Sequence, residues 1–465
     1  MRYLLLWQRL SPPALFMASF VLLIAIGTAG LMWIPGLEHD APLGLIDALF
    51  TMTSAVCVTG LAVVDTATHF TFWGQLWLLL FIQLGGIGLI TLTTLIIGAM
   101  GARLSLRSEM LTMAPTRQGD RPEVWQIALA VMKFSAIVEG AGMLLLFGLW
   151  AFEHPLDEAL WHAIFHSVSA YCNAGFSTFS DSLMGERALV LIIISFEIIV
   201  GGLGYLTFEE VLRWWKHVRA RRTGVRVRLR GGHRLSSHTW AVIVTTSVLL
   251  FSGWVVLAMF EWNRTLAGMD LIDKLANSWF LSVTPRTAGF NSVDYGNVGN
   301  DTVALTMMLM FVGGSPGSTA GGIKTTTLAV LVALGLSRIR GLRFVGLKQR
   351  AIPEGTVERT VGMMLLSILV LTVSFFLLNS IQGFGLTSQE SREQFLPIAF
   401  ETFSAFGTVG LSMNYSAKLY PAGQLVVIML MFIGRVGLLS FFSAVVLKRG
   451  HTGSLRPAQE DVIVG

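Results

Sequence analysis

Phe400-Glu401-Thr402-Phe403-Ser404-Ala405-Phe406-Gly407-Thr408-Val409-Gly410-Leu411 is one of four related stretches in this chain. The others read Phe50-x-x-x-Ser54 ahead of Gly60, Phe165-x-x-x-Ser169 ahead of Gly175, and Phe280-x-x-x-Thr284 ahead of Gly289. Leu or Phe follows each glycine (Leu61, Phe176, Phe290, Leu411). About 25 residues further on, inside a long apolar run, each copy has a second marker: Gly85-Gly86, Gly201-Gly202, Gly313-Gly314 and Gly434-Arg435. The copies lie roughly 115 to 120 residues apart, far beyond the roughly 20 to 50 of a solenoid unit. That period suits an internally duplicated membrane protein, four similar units around one axis, which is the arrangement of a pore.

Composition agrees. The chain of 465 residues is 53% hydrophobic and 13% charged, and its mean hydropathy is +0.67. Soluble domains are far more polar. Uncharged apolar runs of about 18 residues or more read as spans of a roughly 30 Å hydrocarbon layer. Two cysteines exclude a disulfide framework. Both Cys57 and Cys172 precede a repeat glycine and read as small, reduced, buried residues. The first apolar run, Ala14 to Ile34 behind Arg2 and Arg9, resembles a signal peptide but is long for one. The first unit needs it as a helix.

The net charge of +5 matters less than its distribution. One basic set is Arg213, Lys216, Arg219, Arg221, Arg222, Arg226, Arg228, Arg230 and Arg234. A second is Arg338, Arg340, Arg343, Lys348, Arg350 and Arg359. Arg103, Arg107, Arg117 and Arg121 occupy the matching place in the first unit, and Lys448, Arg449 and Arg456 in the last. The other connections carry Glu38, Asp40, Glu153, Asp157, Glu158, Glu261, Asp270 and Asp273, with few bases. The positive-inside rule then puts the basic segments and both termini in the cytoplasm. Nucleic acid or anionic lipid also suits a basic run, but topology alone accounts for this one. No nucleic-acid partner is expected, and the lipid expected is the bilayer itself.

The expected fold is an all-α integral membrane protein of four pseudo-symmetric span, pore-helix, span units. The units cover 14–98, 126–209, 238–336 and 358–447, with a cytoplasmic tail at 448–465. First spans are expected at Ala14–Ile34, Ile127–Trp150, Thr239–Phe260 and Thr360–Leu378. Second spans are expected at Gly74–Gly98, Ala188–Phe208, Thr302–Leu336 (interrupted) and Ala422–Leu447. Segments too short to cross lie between them, near Leu45–Ala55, Asp157–Ala170, Met269–Val283 and Glu393–Ala405. About 12 to 14 residues suit a helix that enters and turns back. Its turn is tolerable only against water or protein.

Four loops that meet on an axis can point backbone carbonyls inward and replace the water shell of a dehydrated cation. Glycine allows the dihedrals and leaves the lumen clear. The negative ends of the short helices face the same place. Thr408-Val409-Gly410 resembles half of a potassium-channel filter; Val58-Thr59-Gly60, Asn173-Ala174-Gly175 and Thr287-Ala288-Gly289 are looser versions. The third unit departs below its loop. Its second span runs into Gly313-Gly314-Ser315-Pro316-Gly317-Ser318-Thr319-Ala320-Gly321-Gly322, five glycines and a proline in ten residues. No helix continues through that, and apolar helix resumes near Thr327. Broken backbone at mid-membrane depth must border water or protein, and by repeat geometry it sits on the axis as a plug or gate. The stretch nearly spells a phosphate loop, but Ile323 stands between Gly322 and Lys324, so the motif is not met.

Charges inside apolar runs need a water path or a partner. Arg435 is expected in the pore below the filter, where it sets an electrostatic barrier; the alternative is a tie between spans through carbonyl groups. Lys324 either lines the vestibule or neutralises a carboxylate such as Glu139 or Glu197, which read as structural partners in the second unit. His166 and Glu401 are expected in hydrogen bonds behind the filter. No His/Cys metal spacing, nucleophile elbow or carboxylate pair suggests an enzyme.

Together, the four units, the filter glycines, the Gly-Ser-Thr-Ala-Gly-Gly-Ile-Lys-Thr break and the fourth-unit arginine resemble the Trk/Ktr/HKT superfamily of cation transporters. The likeness covers about residues 14 to 448. The chain opens on its first unit, without the extra N-terminal pair of spans of Trk-type subunits, and is more similar to the Ktr-type membrane subunit. That resemblance implies potassium uptake across a bacterial cytoplasmic membrane by a homodimer, each protomer with its own pore. It implies a cytoplasmic ring of nucleotide-binding regulatory subunits, with the nucleotide on that ring and no cofactor on this chain, and often sodium-stimulated transport. In the superfamily a serine at the first filter glycine goes with sodium, so Gly60 implies potassium. A secondary transporter of sodium or ammonium is the alternative; a membrane receptor or scaffold would not need four filters. The third unit is one residue shorter between Phe280 and Gly289 and carries Pro285-Arg286, which leaves its side chains unplaced.

Overall fold

The computed structural model describes residues 12–39, 42–99, 124–222, 235–348 and 350–437. Arg2, Arg9, Asp40, Arg103, Arg107, Arg117, Arg121, Arg226, Arg228, Arg230, Arg234, Lys448, Arg449 and Arg456 lie outside them, as do residues 438–447 of the last expected span and the tail. Unit 1 holds α1 (Pro12–Trp33), α2 (Leu45–Val56) and α3 (Phe72–Ala99). Unit 2 holds α4 (Val124–Trp150), α5 (Leu156–Cys172), α6 (Ala188–Leu203) and α7 (Tyr205–Arg222). Unit 3 holds α8 (Ser237–Glu261), α9 (Leu271–Val283), α10 (Asn300–Phe311) and α11 (Thr325–Ile339). A small antiparallel hairpin, β1 (Gly346–Leu347) with β2 (Arg350–Ala351), leads to unit 4 with α12 (Glu354–Gln382), α13 (Ser388–Gly407) and α14 (Pro421–Val436).

The outer helices α1, α4, α8 and α12 contain the four spans that are long and apolar enough, among the described residues, to cross a membrane unbroken. Ile137, Leu144, Val248, Val255, Met259, Leu365 and Phe376 on them are exposed in the isolated chain, where lipid takes the place of protein. Trp33, Trp73 and Tyr420 are also exposed, at helix ends on the side where the pore helices begin, as aromatic anchors of a membrane interface are. Local signals set the starts. Ser236 accepts from Thr239 N at 3.1 Å to cap α8, and Pro421 opens α14.

The units close into a ring. Each inner helix packs on the pore helix of the next unit: α3 on α5, α6 on α9, α10 on α13, and α14 back on α2. Three expectations need correcting. The second span of unit 2 stops at Leu203, and the chain turns by 97° into α7. Gly204 makes that bend possible: its φ is 76°, and a side chain would press on the Gly317 carbonyl. The α14 helix stops at Val436, before Gly437 with φ 84°. The pore helix of unit 4 has 20 residues instead of a dozen, because Thr387 and Glu390 form a reciprocal capping box a turn and a half before the expected start.

Candidate functional site: a ring of glycine loops

Each pore helix ends against a loop built the same way. The repeated Phe50, Phe165, Phe280 and Phe400 are fully buried and pin the helix. The repeated hydroxyl, one turn later, holds the loop. Ser54 and Ser404 accept from the N–H of Gly60 and Gly410 at 3.1 Å, while Ser169 and Thr284 donate to the carbonyls of Phe176 (2.8 Å) and Phe290 (2.7 Å). Thr59, Ala174 and Val409 donate backbone N–H to the carbonyls of Ser54, Ser169 and Ser404, five residues back. In the shorter third loop Ala288 reaches Thr284 O, four back, at 3.0 Å. The missing residue is absorbed at the helix end, and the rest of the loop keeps register.

That register is visible in the backbone. Val58, Asn173, Thr287 and Thr408 have φ of 55°, 60°, 73° and 50°, and the glycines two residues on have 93°, 71°, 81° and 98°. Positive φ is costly for β-branched residues, and three of the four non-glycines are Val or Thr. Strain of this kind persists where the surroundings over-determine it, as functional sites do. Side chains at the glycines are excluded by the neighbouring loop. A Cβ on Gly60 would collide with the Ala174 carbonyl, on Gly175 with Ala288 O, on Gly289 with Val409 O and on Gly410 with Thr59 O. The four collisions run in order around the molecule and close on themselves. Asn173 and Thr287 also meet across loops at 3.1 Å; with the Asn173 amide oxygen accepting, its nitrogen reaches Ala170 O and Ile198 O. The buried hydroxyls of Thr59 and Thr408 find no partner among the described residues.

Polar side chains behind the ring are held. His166 bridges Ser177 Oγ (2.9 Å) and His162 O (2.8 Å), and the Glu401 carboxylate accepts from Ser412 and from Ser416 (2.8 Å). Gln83 donates to both oxygens of Glu139 at 3.0 Å, and Ser167 stands against the Glu197 carboxylate. Cys57 and Cys172 are buried and unpaired with each other.

Beneath the ring the units differ. Gly85, Gly201 and Gly434 press on carbonyls at the C-terminal ends of the pore helices, of Val56, Tyr171 and Phe406, so closely that no side chain would fit. In unit 3 the inner helix opens between Phe311 and Thr325. Gly313 N donates to Ile323 O at 2.9 Å and Thr325 N to Gly314 O at 3.0 Å, so the break is a closed loop with a hydrogen-bonded neck. Ser315 N reaches Gly202 O (3.0 Å), Thr319 N reaches Gly201 O (3.3 Å), and the Thr319 hydroxyl donates to Tyr171 O (3.2 Å), all in unit 2. Gly321 lies against Thr408 of unit 4, leaving no room for a side chain. Arg435 of unit 4 donates to Thr319 O and, at 2.7 Å, to Gly85 O of unit 1. The loop of unit 3 is therefore tied, directly or through Arg435, to all three other units. Of the two expected roles of Lys324, pairing with a carboxylate does not occur among the described residues; it donates instead to Ala320 O (2.7 Å) and Gly321 O (3.4 Å) of its own loop.

Comparison with known proteins fits this architecture. The model of the TrkH family, described as cation transport protein, matches residues 14–450. The chain belongs to the TrkH family. It is thus a transport protein and not an enzyme. It is 35% identical to the Ktr system potassium uptake protein B of Bacillus subtilis, over 94% of this chain and 93% of that one. It is 33% identical to the potassium/sodium uptake protein NtpJ of Enterococcus hirae, over 98% of both. The crystal structure of the potassium transporter TrkH from Vibrio parahaemolyticus superposes with a TM-score of 0.70 at 18% identity, covering 93% of this chain and 84% of that one, and so shares its fold.

Within this family fold, the twelve loop residues singled out from sequence come together in one ring, and residues 313–322 with Lys324 and Arg435 form the layer below it. Of the two readings of Arg435, the carbonyl tie is the one its hydrogen bonds make. Sequence reasoning left Arg286 unplaced. It is buried behind the third loop and donates to Thr246 O (3.3 Å) and Gly313 O (3.0 Å), joining loop, outer helix and neck of the break. An arginine beside Pro285, at the end of an apolar pore helix, was the signal that could have marked it.

Proposed function

We propose that this protein takes up potassium across the bacterial cytoplasmic membrane, through a filter made by the backbone carbonyls of its four glycine loops. The observation that carries the reading is the closed ring: the carbonyl before each glycine abuts the glycine of the preceding unit. Equivalent oxygens around one axis suit a large, weakly hydrated monovalent cation. The Thr59 and Thr408 hydroxyls, without partners among the described residues, and the converging pore-helix C-termini favour positive charge at the same place. The loop 313–322 acts as the gate, and Arg435 and Lys324 hold it shut. The functional form is a homodimer with one pore per protomer, on a cytoplasmic nucleotide-binding regulatory ring, with sodium stimulating uptake and both termini inside. The word "system" in the name of the Bacillus subtilis relative supports a partner.

Rescue of a potassium-uptake-deficient bacterium at low potassium tests the reading, with flux into proteoliposomes as the direct measurement. Uptake that saturates with potassium and prefers it over sodium is expected. The name of NtpJ favours a second reading, in which sodium passes as well. Equal potassium and sodium velocities would select that reading, and no passive flux of either would remove the filter.

A further inference from the structure

Outside the ring, where the pore helix of unit 2 begins, three side chains converge. His154 ends the connection before α5, and Glu158 and His162 follow at four-residue intervals, the spacing of one helix face. One ligand atom from each lies within 4.8 Å of the others. Both imidazoles are set in place. His162 Nδ1 is 2.6 Å from the Thr178 hydroxyl, and Phe179 packs on both rings, stacked 5.8 Å from His154 and tilted 4.5 Å from His162. Neighbouring carboxylates are engaged: Glu153 pairs with Arg187 at 2.5 Å and Glu186 accepts from Trp150. Glu158 is exposed and has no partner among the described residues.

We propose that His154, Glu158 and His162 bind a divalent transition-metal ion, zinc fitting best, and that its binding slows cation uptake. Two imidazoles and one carboxylate, with a fourth position open to water, are a zinc donor set; magnesium and calcium want more oxygens. A histidine ligand commonly donates its other ring N–H to an oxygen; in the tautomer with the proton on Nδ1, His162 donates to Thr178, and Nε2 is left for the metal. Ligand atoms around zinc stand about 3.4 Å apart for bonds near 2.0 Å. The present spacing, at most 4.8 Å, has to close by at most about 1.4 Å to reach that geometry. The link to transport runs through the segment after the second loop. Thr178 is three residues from Gly175 and bonds His162, and Ser177 bonds His166. A metal on His162 stiffens this attachment and adds positive charge beside the mouth, both of which oppose cation flow. The effect on uptake rests on the function proposed above; the binding does not.

Calorimetric titration of the full-length protein in lipid nanodiscs with zinc chloride tests the site, with magnesium as the control ion. One zinc per chain at micromolar affinity is expected, no magnesium binding, and at least a tenfold loss in both His154→Ala and Glu158→Gln. These variants are chosen over His162 because, among the described residues, neither side chain hydrogen-bonds to the segment after the second loop, whereas His162 bonds Thr178. Zinc affinity unchanged in both variants, or absent below millimolar, overturns the site. Proteoliposome uptake with and without external zinc tests the effect: a severalfold slowing in the parent that is lost in His154→Ala supports it. Zinc that binds but leaves velocity unchanged overturns the regulatory half. Loss of all potassium uptake in zinc-free parent protein would instead sink the function proposed above.

Discussion

The glycine ring and the layer directly beneath it use the same four repeats in opposite ways. In the ring the units do one thing four times: a buried Phe, a hydroxyl anchor, a positive-φ residue and a glycine against the next carbonyl. Even the one-residue deletion of unit 3 is taken up before the loop, so that the ring stays in register. Beneath it, the second marker becomes a continuous helix in unit 1, a 97° bend just after it in unit 2, a closed loop in unit 3 and an arginine in unit 4. Equivalent oxygens around an ion require equivalence. An obstruction requires only one chain segment, and symmetry there would give four competing loops in one space. On the function proposed above, the duplication is preserved where the filter must be shared and abandoned where a single gating element must move.

The largest effect expected of any substitution is at the ring. Gly60→Ser or Gly289→Ser puts a side chain on a neighbouring carbonyl and a non-glycine at φ 93° or 81°. Backbone strain alone costs about 1 to 3 kcal/mol. Potassium affinity should fall at least about tenfold, and preference over sodium should shrink. Unchanged uptake kinetics for both ions in both variants would end the idea of a carbonyl ring. Next comes removal of Ser318 to Gly321, which takes away the contacts of Thr319 with unit 2 and with Arg435. Uptake velocity should rise severalfold at matched protein level, with selectivity preserved because the ring is untouched. A well-folded deletion with parental velocity, or with none, would mark the break as purely structural.

Arg435→Gln separates tie from barrier. It leaves the buried carbonyls of Thr319 and Gly85 without their charged donor, a loss of about 1 to 3 kcal/mol. Faster or unregulated uptake should accompany the loss of stability. A lower melting temperature with parental uptake would leave Arg435 only its packing role. The smallest and most searching test is of equivalence itself. Ser54→Ala, Ser169→Ala, Thr284→Val and Ser404→Ala each delete one loop hydrogen bond, worth about 1 kcal/mol. Similar small changes in potassium affinity at all four positions are expected. A large effect at one position alone, measured by the same uptake assay, would show that one loop dominates.

The sequence by itself determined what is local. Hydropathy marked the four outer helices; glycine and proline density marked the break at 313–322; the Phe-x-x-x-Ser/Thr pattern located every pore helix. These follow from properties of a few adjacent residues: transfer to lipid, loss of a helical hydrogen bond, the reach of one turn. The repeat then implied a shared axis before any contact was known. Tertiary structure alone decided the rest. Val58, Thr287 and Thr408 are ordinary β-formers in isolation, and only a neighbouring loop can force them to positive φ. Gly204 is one of 48 glycines, and only the loop of unit 3 lying against it leaves no room for a side chain at its bend. Arg435 was legible as a buried charge, but its partners at Thr319 and Gly85 are 116 and 350 residues away. A charge in a span announces that it needs a partner; which carbonyls answer depends on how the four units pack, and no local pattern encodes that.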